Sequence, residues 1–132
     1  MTIQNKILVV EDSPTTRRQI TDILESAGYE VIPAADGEAA IELVDEHKPA
    51  LVVLDIVLPK KNGYQVCRKI KGTPELAVKI LMLTAKDQEK DRIWGHRQGA
   101  DFYLSKPVDA EQLVDAVQNM IEVEATPINH GS

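Results

Sequence analysis

Five polar residues of this 132-residue sequence lie at the end of a short apolar run or within two residues after one. They are Glu11, Asp12, Asp55, Thr84 and Lys106. Carboxylates, a hydroxyl and an ammonium could together bind a divalent cation, supply a nucleophile and stabilise a transferring phosphoryl group. Each residue alone has an ordinary explanation, since an acidic residue can cap a helix or simply end a strand. The set indicates chemistry only if the fold brings its members to one place.

The apolar runs predict five strands, at residues 6–10, 30–34, 51–55, 79–83 and 102–104. The first, third and fourth runs are unbroken stretches rich in Val, Ile and Leu, which is typical of parallel strands buried on both faces. Pro33 interrupts the second run, and it has no amide hydrogen to donate. We therefore expect the second strand at an edge of the sheet.

Helical patterns follow the strands. The predicted helix starts are Ser13-Pro14, Asp36, Asn62-Gly63, Asp87 and Asp109, and Gly28, Lys48-Pro49 and Gly99 mark predicted ends. In the first helix, Ile20, Ile23, Leu24 and Ala27 are expected to face inward. Five alternations of strand and helix predict an α/β fold with a doubly wound parallel sheet of order 2-1-3-4-5. The domain is expected to span residues 1–123, with residues 124–132 as a flexible tail.

This strand order places the ends of the first and third strands side by side, so Glu11, Asp12 and Asp55 are expected to meet there. Two unit charges about 4 Å apart repel by roughly 4 kcal/mol at a dielectric constant near 20. Such a group should shift its pKa values or bind a cation. Short carboxylate side chains suit Mg²⁺, while Lys106 and Thr84 would add a positive charge and a hydroxyl donor.

The composition excludes several function classes. Fifteen Lys and Arg residues against 21 Asp and Glu residues give a net charge of −6, which does not favour nucleic acid or an anionic membrane. The adjacent pairs Arg17-Arg18 and Lys60-Lys61 are interpreted as solvated surface. The single cysteine, Cys67, permits no internal disulfide. No secretory signal and no apolar stretch of roughly 20 residues is present, so we expect a cytoplasmic protein.

Four segments, VVEDSP, LDIVLPKKNG, LMLTAKD and YLSKPVD, occur in this order between residues 5 and 122. They resemble the receiver family of two-component response regulators, which has a flavodoxin-like fold. The resemblance implies that Asp55 is the phosphoacceptor and that Glu11 and Asp12 bind Mg²⁺, together with Asp55 and the carbonyl of Val57. It also implies that Thr84 and Lys106 bind the phosphoryl group.

The resemblance assigns roles to four further positions. Tyr103 resembles the aromatic switch residue, and Pro107 resembles a proline that follows a cis peptide bond. Val57 and Lys86 occupy the positions that tune reaction rates. The acidic pair is Glu-Asp here, where Asp-Asp is commoner in the family. Asp12 is therefore expected to bind the metal directly, and Glu11 through water.

The longer run KDQEKDRIWGHRQGADFYLSKPVD resembles PilH-like, chemotaxis-type regulators of type IV pili and twitching motility. The implied function is a single-domain response regulator. It would accept phosphate from a histidine kinase and bind an unidentified output protein, with no enzymatic activity beyond slow self-dephosphorylation.

Three other functions compete with this interpretation. An aspartyl-phosphate hydrolase usually has a second Asp where Val57 stands. A flavin carrier needs a glycine- and hydroxyl-rich loop after the first strand, and the loop here is acidic. A transcription factor needs a DNA-binding domain, for which the roughly ten residues after the last predicted helix are too few.

Overall fold

The computed structural model describes residues 6–73, 78–84 and 99–125, the side chains of the last segment as far as residue 121. Five strands of these segments form one parallel sheet of order β2-β1-β3-β4-β5. The strands are β1 (Lys6–Val10), β2 (Glu30–Ala34), β3 (Leu51–Asp55), β4 (Lys79–Thr84) and β5 (Phe102–Ser105). The predicted fold class and strand order are confirmed. Pro33 is exposed on β2, which lies at the edge of the sheet as expected.

Four helices are described: α1 (Pro14–Ser26), α2 (Gly37–His47), α3 (Gly63–Lys71) and α4 (Ala110–Ala125). A polar side chain caps the start of each one by accepting a backbone N–H. The capping residues are Ser13, Asp36, Asn62 and Asp109. The helix predicted from Asp87 lies outside the described residues. The final helix continues to Ala125, beyond the predicted domain end, and residues 126–132 are not described.

The two faces of the sheet are covered by different helices, because successive side chains of a strand point to opposite sides. Alternate residues of the three central strands pack with α2 and α3 on one face and with α1 and α4 on the other. Ile20 and Leu24 are buried in the second of these layers, whereas Ala27 is exposed. The inward prediction for Ala27 is wrong because α1 ends at Ser26, and Ala27 is the residue that caps it.

No helix among the described segments is long and apolar enough to cross a membrane. Because the strands are parallel, all five end at the same edge of the sheet. The polar residues at this edge are the feature to explain.

Candidate functional site

The carboxyl ends of the strands bring the five predicted polar residues to one edge of the sheet. Asp55 ends β3 beside Leu83 of β4, and Thr84 ends β4 beside Ser105. Glu11 and Asp12 follow β1, the strand that pairs with β3. One carboxylate oxygen from each of Glu11, Asp12 and Asp55 lies within 4.8 Å of the other two. The expected meeting of the acidic pair with Asp55 is therefore present in the structure.

Asp55 lies at the centre of this group, with only 3% of its surface exposed. Its Oδ2 atom accepts a hydrogen bond from Lys106 Nζ at 2.7 Å. Its Oδ1 atom accepts one from the backbone N–H of Val57 at 3.2 Å. Both oxygens are therefore oriented, one by a charge and one by the loop that follows β3.

Glu11 is also buried, and it has two roles. Its Oε2 atom accepts a hydrogen bond from the backbone N–H of Ser13 at 3.1 Å, so it orders the turn before α1. Its Oε1 atom lies 3.2 Å from Lys106 Nζ, so it also belongs to the ionic cluster. Burial raises the pKa of Glu11; the Ser13 bond opposes this rise, the neighbouring Asp55 adds to it, and Lys106 opposes it.

Lys106 is the ammonium that joins two of the carboxylates. Burial by itself would lower the pKa of Lys106, but the hydrogen bonds and charges of Asp55 and Glu11 outweigh burial and raise it. Lys106 therefore stays charged at neutral pH. Counted as formal charges, the three carboxylates and one ammonium give a net charge of −2 (three negative, one positive) at the site.

The donor atoms at this edge suit a hard divalent cation. They are carboxylate oxygens with a net charge of −2, and Asp12 is exposed, so the cluster is open to solvent on one side. Oxygen ligands together with retained water are what Mg²⁺ prefers. Glu11, Asp12 and Asp55 could therefore hold Mg²⁺. The carbonyl of Val57 is the other predicted ligand. The amide of Val57 bonds to Asp55, and the residue is 75% exposed.

Thr84 ends β4, the strand that pairs with β3, and its hydroxyl is buried, with 1% of the residue exposed. It has no hydrogen-bond partner within the described segments. A buried hydroxyl that makes no hydrogen bond costs about 1–3 kcal/mol. Thr84 therefore has a hydroxyl donor that is unused within the described segments, at the same edge of the sheet as Asp55.

The remaining predicted residues lie around this centre. Tyr103 is partly buried on β5 and packs on the α2–α3 side of the sheet. Burial raises the pKa of its phenol to about 12. The peptide bond between Lys106 and Pro107 is cis, as the resemblance implied. Lys86 lies outside the described residues.

Arg18, Lys60 and Lys61 are exposed, which agrees with the interpretation of the basic pairs as solvated surface, whereas Arg17 is half-buried and makes a specific contact. The guanidinium of Arg17 donates a hydrogen bond to the carbonyl of Glu11 at 2.8 Å and so supports the acidic cluster. Lys60 lies 3.7 Å from Asp36 and 4.0 Å from Glu38. The position of Arg17 in the first turn of α1, five residues after Asp12, is the sequence signal that could have identified its contact with Glu11.

Two solved structures and one curated protein show how this arrangement compares with known proteins. Protein PilH of Pseudomonas aeruginosa is 41% identical over 117 residues, covering 88% of this chain and 97% of PilH. A putative response regulator from Chloroflexus aurantiacus superposes with a TM-score of 0.87 at 34% identity, covering 89% of this chain and 98% of the other. The resemblance to PilH-like regulators is thus confirmed.

The second structure is the receiver domain of a sensor histidine kinase from Pseudomonas aeruginosa PAO1, described with a magnesium ion in its active-site cleft. It is 32% identical, with a TM-score of 0.83, and the match covers 92% of this chain and 99% of the other. The chain spans about half the length of other curated relatives, which are transcriptional regulators. The model of the response regulator receiver domain matches residues 7–118, and the chain belongs to that family.

Proposed function

We propose that this receiver domain is a phosphorylation-controlled switch that accepts a phosphoryl group from a histidine kinase on Asp55. It then changes its affinity for an output protein in a chemotaxis-like or pilus-motility pathway, as its likeness to PilH suggests. The observation that supports this proposal best is the environment of Asp55. It is a buried carboxylate whose two oxygens are held by Lys106 and the Val57 amide, beside two further carboxylates.

The proposed reaction forms one bond and breaks one. An oxygen of Asp55 bonds to phosphorus while the bond between phosphorus and the donor's histidine nitrogen breaks, and the electron pair leaves with the imidazole. Lys106, which already bonds to Asp55, and the Thr84 hydroxyl would stabilise the negative charge on the phosphoryl oxygens. Bound Mg²⁺ would add positive charge beside the same oxygens. Asp55 is the nucleophile because it ends the central strand β3 and is the carboxylate that both donors orient.

The same residues account for the proposed change of state. Once Asp55 carries the phosphoryl group, Thr84 can donate its hydroxyl to a phosphoryl oxygen. This movement draws the end of β4 inward and gives the Tyr103 side chain room to turn inward. A modification shifts a conformational equilibrium only through contacts that differ between the two states. Here the differing contacts are those of Thr84 and Lys106 with the phosphoryl group.

The proposal includes slow self-dephosphorylation and no other enzymatic activity. Val57 is apolar and mostly exposed beside Asp55. It has no group that could orient a water molecule or accept its proton. The phosphorylated form should therefore persist long enough to bind a partner.

A groove of about 840 Å³ lies beside the site, between α1 and the segment that follows β5. Ile23, Val108 and Pro107 give it apolar walls, and Lys106 forms part of its lining. A phosphodonor protein must reach Asp55 from a surface that is continuous with the site. We place the kinase in this groove because it shares Lys106 with the site.

The proposed function is tested by measuring the intact mass of the protein after incubation with acetyl phosphate and Mg²⁺. We expect a gain of one phosphoryl group in the wild type and in Asp45→Asn, an exposed carboxylate on α2 that lies away from the site. We expect no gain in Asp55→Asn, or in the wild type with EDTA. An undiminished gain in Asp55→Asn would disprove the assignment of the phosphoacceptor.

A further inference from the structure

The loop between β3 and α3 begins at the phosphoacceptor and returns to it. Val57 donates its amide to Asp55 Oδ1 at 3.2 Å. Where the loop ends, the N–H of Gly63 donates to the carbonyl of Ile56 at 2.8 Å. A side chain at Gly63 would place its Cβ atom 2.5 Å from the carbonyl oxygen of Asp55. The loop is therefore packed directly against Asp55 at both of its ends.

The middle of the same loop is packed against the start of α2. A Cβ atom at Gly37 would collide with the carbonyl oxygen of Lys61 and lie 2.8 Å from its Cβ atom. Lys60 has a left-handed backbone (φ 68°), a conformation that residues other than glycine rarely adopt. Its ammonium lies 3.7 Å from Asp36, the N-cap of α2. Backbone contact and charge thus both hold this part of the loop on α2.

The contact between loop and helix opens onto a cleft between α2 and α3. The cleft has a volume of about 800 Å³, and Lys61 of the loop and Glu38 of α2 both line it. Ile41 contributes from the next turn of α2, and Gln65 and Lys69 contribute from α3. Any movement of the loop relative to α2 must therefore change the mouth of this cleft.

We propose that the contact of Lys60 and Lys61 with the first turn of α2 couples the phosphorylation state of Asp55 to the shape of the α2–α3 cleft. This inference rests on the proposed function, because it takes Asp55 as the phosphoacceptor. Phosphorylation makes one carboxylate oxygen the bridging oxygen of an acyl phosphate, so the negative charge that attracts the Val57 amide moves to the phosphoryl group. The loop then changes its contact with Asp55, and the close packing of Lys61 against Gly37 transmits the change to α2. The cleft is a second phosphorylation-sensitive surface, separate from the strand β5 that carries Tyr103.

The test is NMR of the full chain with Mg²⁺, before and after addition of beryllium fluoride as a mimic of the phosphoryl group. The probes are the Ile41 methyl group in the cleft and the Thr84 amide at the site. We expect both to shift in the wild type. Gly37→Ala adds a Cβ atom where the Lys61 carbonyl packs and so displaces the loop from α2, and it should keep the Thr84 shift and lose most of the Ile41 shift. Lys69→Gln, on the opposite wall of the cleft, should keep both shifts.

The outcomes separate the two proposals. A Thr84 shift without an Ile41 shift in the wild type would overturn the coupling and leave the proposed function standing. A full Ile41 shift in Gly37→Ala would also overturn the coupling through this contact. No shift at either probe would overturn the proposed function, and this inference with it.

Discussion

Replacing Lys106 by Met should destabilise the domain by about 2 kcal/mol in EDTA at neutral pH. The ammonium lies 2.7 Å from Asp55 and 3.2 Å from Glu11, so its loss leaves three neighbouring carboxylates with no lysine between them. Breaking a buried ion pair by removing one partner costs about 3–5 kcal/mol. The Lys106 side chain is 34% exposed, and solvent screening reduces this cost. For a typical dependence on urea, the midpoint of unfolding should fall by about 1 M.

The deficit should depend on pH with a definite sign. The raised pKa of Lys106 means that its stabilising charge is present throughout the acidic and neutral range and is lost only as the pH rises through the folded pKa, above 10.5. The pKa of Glu11 is also raised, from 4.5. Glu11 therefore favours folding below pH 4.5, and this benefit is lost as the pH rises through its folded pKa. Acidification neutralises Glu11 and leaves Lys106 less charge to balance, so the deficit of Lys106→Met should shrink towards pH 4.5.

Mg²⁺ should reduce the same deficit, because a bound dication replaces the lost positive charge and stabilises the folded state by mass action. Lys71→Met is the matched control. Lys71 lies 2.7 Å from Asp101, with side-chain exposures of 28% and 31%, and it also donates to the Val78 carbonyl. Its loss should be of similar size and insensitive to Mg²⁺. Urea unfolding followed by circular dichroism, with EDTA or about 10 mM Mg²⁺, measures both. Equal deficits of Lys106→Met in the two conditions would refute this account of the site's charge.

Three further predictions concern single features of the site. Asp12→Ala should keep the fold and weaken Mg²⁺ binding by about tenfold or more, about 1.4 kcal/mol; calorimetry measures this, and unchanged affinity would show that Asp12 is not a ligand. Thr84→Val removes a buried hydroxyl that has no partner in the described segments. It should leave the unmodified domain as stable as wild type or up to about 1 kcal/mol more stable while weakening beryllium fluoride binding; a loss of stability without weaker binding would contradict the role of Thr84. Val57→Asn with Lys86→Glu offers water an amide and a carboxylate, and should speed loss of the phosphoryl group roughly tenfold, about 1.4 kcal/mol; an unchanged decay rate in excess Mg²⁺ would show that these residues do not set the lifetime.

Most of the fold could be predicted because its signals are local. The central strands are buried on both faces, so they appear as unbroken aliphatic runs, and β3 occupies the predicted range. Helix starts are set by side chains that bond to backbone groups three residues ahead, as Asp36 does with Ala39. Ala27 fits the helical spacing, but spacing alone cannot show that α1 ends one residue earlier. Local patterns therefore predicted the elements better than their last residues.

The meeting of Glu11, Asp12 and Asp55 was also predictable, because strand order alone determines which strand ends are neighbours. The contacts of Arg17 and Lys60 were not. Both are surface-type residues on loops or first turns, and the direction of a long, flexible side chain depends on tertiary neighbours that no spacing reveals. Gly37 is a similar case: its sequence neighbours suggest only a helix start, whereas its lack of a side chain is what lets the β3–α3 loop approach α2.

The charge of the site is consistent with the proposed switch. Counted as formal charges, three carboxylates and one ammonium give a net charge of −2, and a bound dication would bring it to zero. A phosphoryl group on Asp55 would change the charge of this residue from −1 to about −2. The site with a bound dication would then carry about one excess negative charge. Lys106 is already bonded to Asp55, which leaves the Thr84 hydroxyl as the donor still available among the described residues of the site. Because Asp55 and Thr84 are almost fully buried, salt screens an interaction between them weakly. On the proposed function, phosphorylation of Asp55 would therefore transmit a change of one charge to the end of β4, whereas an exposed cluster would lose this effect to solvent screening.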